Sequence, residues 1–192
     1  AKAEGTQFAF LPENAFFMKR EAHHKDEQST CSSRGSFVME EHPGVMATQA
    51  LAKELRLWVL IGSIAAINPT SEDKRPFNRS VLIDDAGQIV SIYDKIHLFD
   101  MTLPCGSSFV ESARMQAGSD AVIAKTPFVD IGLTICYDLR FPHLYRTLAQ
   151  AGAGILAVPS AFARTTGEAH WHTLLKARAI ENSAFVVAPG QC

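Results

Sequence analysis

Ile131-Gly132-Leu133-Thr134-Ile135-Cys136-Tyr137-Asp138-Leu139-Arg140-Phe141-Pro142 begins apolar and turns polar after the cysteine. Residues 129–136 read as a buried strand, and residues 142–151, closed by Gly152, as a helix. A cysteine at the end of a buried strand, just before a turn into a helix, is held rigidly while its sulfur faces a cleft. Serine hydrolases place their nucleophile by the same strand–turn–helix arrangement. The plainer reading is a core cysteine, which is what a free Cys usually is, and one Cys carries no spacing information.

Working outward, strand-like and helix-like segments alternate. Downstream come a strand at 155–158, a helix at 167–182 and a strand at 185–188. Upstream, the short apolar run 8–11 is a buried strand ending at Pro12. Residues 20–34 are polar and read as a solvated loop or frayed helix. Residues 45–55 form a helix started by Pro43-Gly44, with an apolar face of Val45, Met46, Leu51 and Leu55. Residues 57–66 are a strongly apolar strand, and 78–84 with 88–94 form a hairpin across Asp85-Ala86-Gly87. Residues 95–116 show little periodicity and read as a long, shaped loop. The expected architecture is a layered α/β domain.

At 192 residues the chain fits a single domain, 1–192, with one sizeable core. Its 18 basic and 20 acidic residues leave no positive excess to neutralise phosphates, which argues against a nucleic-acid partner. The longest apolar run is broken by Gly62 and Ser63 and does not reach a membrane span. The cysteines, Cys31, Cys105, Cys136 and Cys192, are scattered without a CxxC pair, so a reducing cytoplasm is expected. Both ends read as cut. Ala1-Lys2-Ala3-Glu4 resembles the tail of a helix closed by Gly5, and the chain stops soon after its last apolar run.

Glu13, in Phe10-Leu11-Pro12-Glu13-Asn14, follows an apolar strand. Partial burial there would raise its pKa and suit it to general-base work, although this segment alone fits a surface Glu. Lys95, in Tyr93-Asp94-Lys95-Ile96-His97-Leu98-Phe99, has apolar neighbours. A partly buried Lys needs a partner, while a snorkelling Lys at a strand end does not. Glu111 reads locally as ordinary. His170 and His172 point to different helix faces, and Glu168 with His172 lacks a third ligand, so no metal site is expected. Asp138 and Arg140 read as a structural ion pair beneath the site.

Three of these segments, in this order, resemble the motifs of the nitrilase superfamily of carbon–nitrogen hydrolases, in its Nit branch of amidases. Phe10-Leu11-Pro12-Glu13-Asn14 is similar to its glutamate motif and the Lys95 segment to its lysine motif. Gly132 through Pro142 is similar to its cysteine motif. Tyr137-Asp138 after the cysteine, where nitrilases carry Trp-Glu, favours amides over nitriles. Pro159-Ser160-Ala161-Phe162 with Thr166-Gly167-Glu168-Ala169-His170-Trp171 resembles the members that hydrolyse deaminated glutathione.

The resemblance implies a four-layer α–β–β–α sandwich, cytoplasmic, without metal or organic cofactor, and homodimeric or larger. It also implies a first strand and helix before Ala1 and further strands and a tail after Cys192. The roles it implies are Cys136 as nucleophile, Glu13 as base, Lys95 and the Tyr137 backbone N–H for the oxyanion, and Glu111 as a second glutamate. Small-molecule amide and water would be the reactants. Phe162, Arg164, Thr166, His170 and Trp171 would bind substrate, with Arg164 on its carboxylate. An ω-amidase or carbamoylase of the same superfamily is the alternative. Two other classes stay open: a Cys–His peptidase using His97 or His143, and an inactive interaction module of the same fold.

Overall fold

The computed structural model describes residues 5–16, 37–102 and 108–191. The expectations for the helix tail at 1–4, the loop at 20–34, Cys31, Cys105 and Cys192 lie outside those residues.

Strand β1 (Phe8–Phe10) is followed by a turn at residues 13–16, and the described chain continues with β2 (Phe37–Val38) and helix α1 (Pro43–Leu55). Pro43 suits the first turn because its missing N–H has no helical partner, and the His42 Nδ1 accepts the Gly44 N–H at 3.1 Å. Strand β3 (Trp58–Ile67) and the hairpin β4 (Phe77–Ile83) and β5 (Ile89–Asp94) complete the first sheet, in the order β1-β3-β4-β5 with β2 also on β3. The Asp84 side chain accepts the N–H groups of Ala86 and Gln88, and Gly87 takes φ +80° to close the hairpin.

The second sheet is β11-β10-β9-β8, from β8 (Val122–Ala124), β9 (Ile131–Leu133), β10 (Ile155–Ala157) and β11 (Phe185–Val187). Strands β9, β10 and β11 run parallel, so the crossovers α2 (Pro142–Gln150) and α3 (Arg164–Asn182) cover one face. Helix α3 begins three residues before the expected position 167.

Side-chain alternation fixes the layers. On β3 and β4, Val59, Ile61, Val81 and Ile83 pack with Val45 and Ala52 of α1. Their neighbours Leu60 and Leu82 point the other way, into a cluster with Ile131, Leu133 and Ala157 of the second sheet. Leu156 packs outward on Leu144, Tyr145 and Leu148 of α2. The order is α1, first sheet, second sheet, α2 with α3, which is the expected α–β–β–α sandwich.

Two expectations need correction. The buried stripe of α1 is Val45, Thr48 and Ala52, while Met46, Leu51 and Leu55 are exposed. Thr48 tolerates burial because its hydroxyl donates to Gly44 O at 2.7 Å. The segment 95–116 is not all loop: β6 (Asp100–Thr102) and β7 (Ser108–Val110) form a hairpin, followed by a 3-10 turn at Glu111–Ala113. Its short strands fall below the length at which alternation is visible. No helix among the described residues is long and apolar enough to cross a membrane.

Candidate active site

The site forms where the two sheets meet. From the first sheet, the chain leaves β1 through Leu11-Pro12 and lies on β3. The Leu11 N–H donates to Leu60 O at 2.8 Å, the Asn14 N–H to Ser63 Oγ at 2.9 Å and the Ala15 N–H to Ser63 O at 3.1 Å. This contact puts Glu13 against the inner face, 4% exposed. At the far end of β5, the Lys95 N–H donates to Asn78 O at 2.9 Å, which aligns Lys95 with β4. The lysine is 2% exposed.

From the second sheet, β9 runs into the 3-10 turn Cys136–Arg140. The Cys136 N–H donates to Pro159 O at 2.9 Å, and the residue sits at φ +46°, the left-handed region that only Gly adopts freely. That sharp bend ends the strand and turns the sulfur toward Glu13. Helix α3 braces the turn: Arg178, buried, donates from Nε and Nη2 to Leu139 O at 3.1 and 2.8 Å.

The Lys95 ammonium lies 3.2 Å from Glu13 Oε1 and 2.9 Å from Glu111 Oε2. Glu13 Oε2 accepts the Ala161 N–H at 2.7 Å, and Glu111 Oε2 accepts the Phe99 N–H at 2.6 Å. The Asn78 amide donates to both carboxylates, at 3.0 Å each. The Cys136 thiol lies close enough to Glu13 and Lys95 for both charges to act on it. The structure therefore brings Glu13, Lys95, Glu111 and Cys136 into one cluster.

Burial pushes the Glu13 pKa upward, but the Lys95 charge and hydrogen bonds from Ala161, Cys136 and Asn78 outweigh it. The carboxyl ends below its ordinary value. The sequence expectation of a raised Glu13 pKa is thus reversed: a buried carboxylate with an ammonium beside it keeps its charge. Lys95 loses to burial and gains more from Glu13, Cys136 and Glu111, so it is held above the ordinary lysine value. Burial and the Glu13 charge hold the Cys136 thiol well above its usual value, against the pull of Lys95. The surroundings thus favour the protonated thiol of Cys136 beside a charged Glu13 and a charged Lys95.

Asp138 and Arg140 do not pair. Asp138 accepts the Tyr93 hydroxyl at 2.7 Å and the Ile135 and His97 N–H groups at 2.8 and 3.0 Å, with His97 Nδ1 at 2.7 Å. Two residues apart on a tight turn, the side chains diverge: Asp138 faces Tyr93 and His97, and Arg140 faces His170 and Phe162. His97 stacks on Phe141 at 3.6 Å, turned toward Asp138. The charged groups that act on the thiol are Glu13 and Lys95, while His97 is engaged by Asp138 and Phe141.

A cavity of about 450 Å³ is lined by Ser160, Phe162, Arg164, Trp171, His172 and Gln191 among others; none of Glu13, Lys95, Glu111 and Cys136 lines it, and Gln191 links it to the cluster by donating to Glu13 O. The Phe162 and Trp171 rings are 5.0 Å apart. Arg164 lines this space but is bonded to Glu168 at 2.9 Å, and its side chain is 92% exposed. Thr166 is turned back to Ala163 O at 3.3 Å, and His170 lies 3.2 Å from Arg140. The Arg140 guanidinium sits over the rings of Tyr137 and Phe162, at 5.9 and 5.3 Å, and its buried Nε has no hydrogen-bond partner. Sequence reasoning missed Asn78 and misassigned Arg140. No local signal marks a single Asn within a strand, although the lack of an acidic partner for Arg140 follows once Asp138 is seen to be occupied.

The sequence profile of the carbon-nitrogen hydrolase family matches residues 1–192. A deaminated glutathione amidase of Synechocystis is 38% identical over 193 residues, covering all of this chain and 67% of the relative. The human deaminated glutathione amidase is 41% identical over 190 residues, covering 98% of this chain and 56% of the relative. Among solved structures, the Caenorhabditis elegans NitFhit protein superposes with a TM-score of 0.82 at 34% identity. It covers 99% of this chain, which spans 44% of that protein. Yeast Nit3, described as a member of branch 10 of the nitrilase superfamily, gives a TM-score of 0.76 at 25% identity, covering 97% of this chain and 63% of its own.

Proposed function

The chain belongs to the carbon-nitrogen hydrolase family, and from that premise we propose that it hydrolyses the amide bond of a small carboxylate-bearing substrate, through a thioester on Cys136, releasing ammonia. The observation that carries this reading is that Lys95, Glu13 and Cys136, a cation, a base and a nucleophile, share one buried cluster, with the lysine on the glutamate and both charges acting on the thiol.

As the Cys136 sulfur bonds to the amide carbon, its proton passes to Glu13. Burial and the Glu13 charge disfavour a free thiolate, so the proton leaves as the sulfur attacks. The carbonyl π pair moves onto oxygen, and the Lys95 ammonium and Tyr137 N–H stabilise that oxyanion; one such donor is worth about 3–4 kcal/mol. On collapse the C–N bond breaks, and Glu13 returns the proton to the departing nitrogen as ammonia. Water then attacks the thioester, giving a proton to Glu13 while Glu111 orients it. The C–S bond breaks and the sulfur recovers its proton. Lys95 stays charged throughout: while Glu13 carries the proton, the oxyanion and Glu111 still face the ammonium.

The names of the relatives and the aromatic-walled cavity support an α-keto-acid amide such as deaminated glutathione. We assign its carboxylate to Arg140 in preference to Arg164, because Arg140 carries an unpartnered buried N–H and Arg164 is already paired. On the family likeness we place the enzyme in the cytoplasm as a homo-oligomer.

The test is ammonia release from deaminated glutathione, a shorter α-keto ω-amide, a neutral amide of similar length and the matching nitrile. The anionic amides are expected to be turned over best, Cys136→Ala to abolish turnover, and mass spectrometry to find the acyl group on Cys136. Arg140→Ala should raise KM for the anionic amides far more than for the neutral one, and Arg164→Ala should not. Substantial turnover by Cys136→Ala, or equal turnover of nitrile and amide, would sink the assignment.

A further inference from the structure

Asn78, on β4, is 3% exposed. Its side-chain nitrogen has two hydrogens, and they go to different carboxylates, Glu13 Oε1 and Glu111 Oε1. The backbone carbonyl of the same residue accepts the Lys95 N–H. One neutral residue thus touches all three charged members of the cluster. Charge fixes its orientation, because the reversed amide would aim Oδ1 at two carboxylates.

That orientation leaves Oδ1 buried with no hydrogen-bond partner. A buried acceptor without a donor costs stability, and Asn is a poor strand residue. An apolar side chain between Phe77 and Val81 would suit the strand better. A residue that opposes stability where it serves a charged cluster points to a role in the chemistry.

We propose that Asn78 is a positioning residue for hydrolysis: its amide ties the Glu13 and Glu111 carboxylates together around the single Lys95 ammonium and holds both in place beside Cys136. The proposal rests on the roles assigned above to those residues. Two anions sharing one cation repel each other. The two N–H groups of a neutral amide relieve that repulsion without adding a charge that would compete with Lys95 for the oxyanion. The titratable groups facing Glu13 are Lys95 from the end of β5 and Cys136 from the turn after β9. Glu111, from the 3-10 turn after β7, is reached through Lys95 and Asn78.

Asn78→Asp keeps the shape and removes both donors, Asn78→Leu also removes the orphan oxygen, and Asn78→Ser keeps one small donor. In the intact protein, kcat/KM for the best amide is expected to fall roughly tenfold or more in Asn78→Asp and Asn78→Leu, with kcat changing more than KM. The acid limb of the pH profile should move to higher pH, since a carboxylate that loses a donor holds its proton more tightly. The shift should be largest for Asn78→Asp, which adds a like charge, and smallest for Asn78→Ser. Single-turnover rates should show acylation and deacylation both slowed, because Asn78 holds both glutamates. An unmoved acid limb in the folded variants, or a rate per folded molecule within about twofold of the parent, overturns the proposal. If only Asn78→Ser folds, its limb alone decides. Infrared titration of the Glu13 carboxyl, identified by its loss in Glu13→Gln, reads the same shift without turnover. A protein that hydrolyses no amide yet shows the shift would overturn the amidase reading while leaving the positioning role of Asn78.

Discussion

Lys95 is 2% exposed and has carboxylate oxygens of both Glu13 and Glu111 within 3.2 Å. Burying an ion costs several kcal/mol, so the lysine is tolerated only because both partners are in place. Glu13 has a folded pKa below its unfolded one. Its contribution to stability is therefore complete above the ordinary carboxylate value of 4.5 and is lost as pH falls through the lower folded value. Lys95 has a raised folded pKa, so its contribution is complete below 10.5 and is lost only as pH rises through the folded value. Lys95→Met should leave two carboxylates sharing one amide, one of which must take up a proton. The expected loss at neutral pH is about 3–5 kcal/mol, measured by denaturant unfolding, and it should shrink at pH values where the carboxyls are protonated anyway. A loss that is the same at acid and neutral pH would mean that the ion pairs do not set the stability of the site.

At the scale of elements, Glu13 depends on a close approach that one residue permits. A Cβ at Gly62 would lie 2.2 Å from Leu11 O and 2.4 Å from Pro12 O, so the chain leaving β1 can rest on β3 only where β3 has no side chain. The pairing of β3 with β4 also shifts register between Ile61 and Ile64, next to this glycine. Gly62→Ala must push the Glu13 turn away from the sheet. It is expected to cost about 1–3 kcal/mol as an overpacked contact and to lower kcat beyond the loss of folded protein. Full activity per folded molecule would show that the turn can move without displacing the carboxylate.

At the scale of the whole molecule, the site exists only while the two sheets are joined. Asp138, fully buried after β9, accepts hydrogen bonds from Tyr93 on β5 and from the His97 N–H beyond it. The reverse tie runs from the first sheet to the second, with Glu13 accepting the Ala161 N–H and the Gln191 side chain donating to Glu13 O at 2.8 Å. Asp138→Asn puts an amide donor among groups that already donate. It should destabilise the protein by about 3 kcal/mol or more and depress turnover, although Asp138 touches no reacting atom. An unchanged urea midpoint would show that apolar packing between the sheets suffices.

What the sequence determined by itself was local. Helix starts at Pro43 and Pro142, the turn at Asp84 to Gly87 and the apolar strands follow from propensities and spacing that act within a few residues. The three motif segments likewise marked Glu13, Lys95 and Cys136 as residues worth testing. Tertiary structure decided the rest. Glu13 meets the backbone of Ala161 across 148 positions, and Asn78 joins the cluster from a strand where nothing distinguishes it. Met46, Leu51 and Leu55 look like a core face, yet α1 turns Thr48 and Ala52 to the sheet, because the side buried is set by what the helix packs on. Asp138 and Arg140, two residues apart, part company at a bend. The direction of the Glu13 pKa depends on an ammonium brought from another strand. Burial alone would have raised it, and the charge beside it, which only the fold supplies, lowers it.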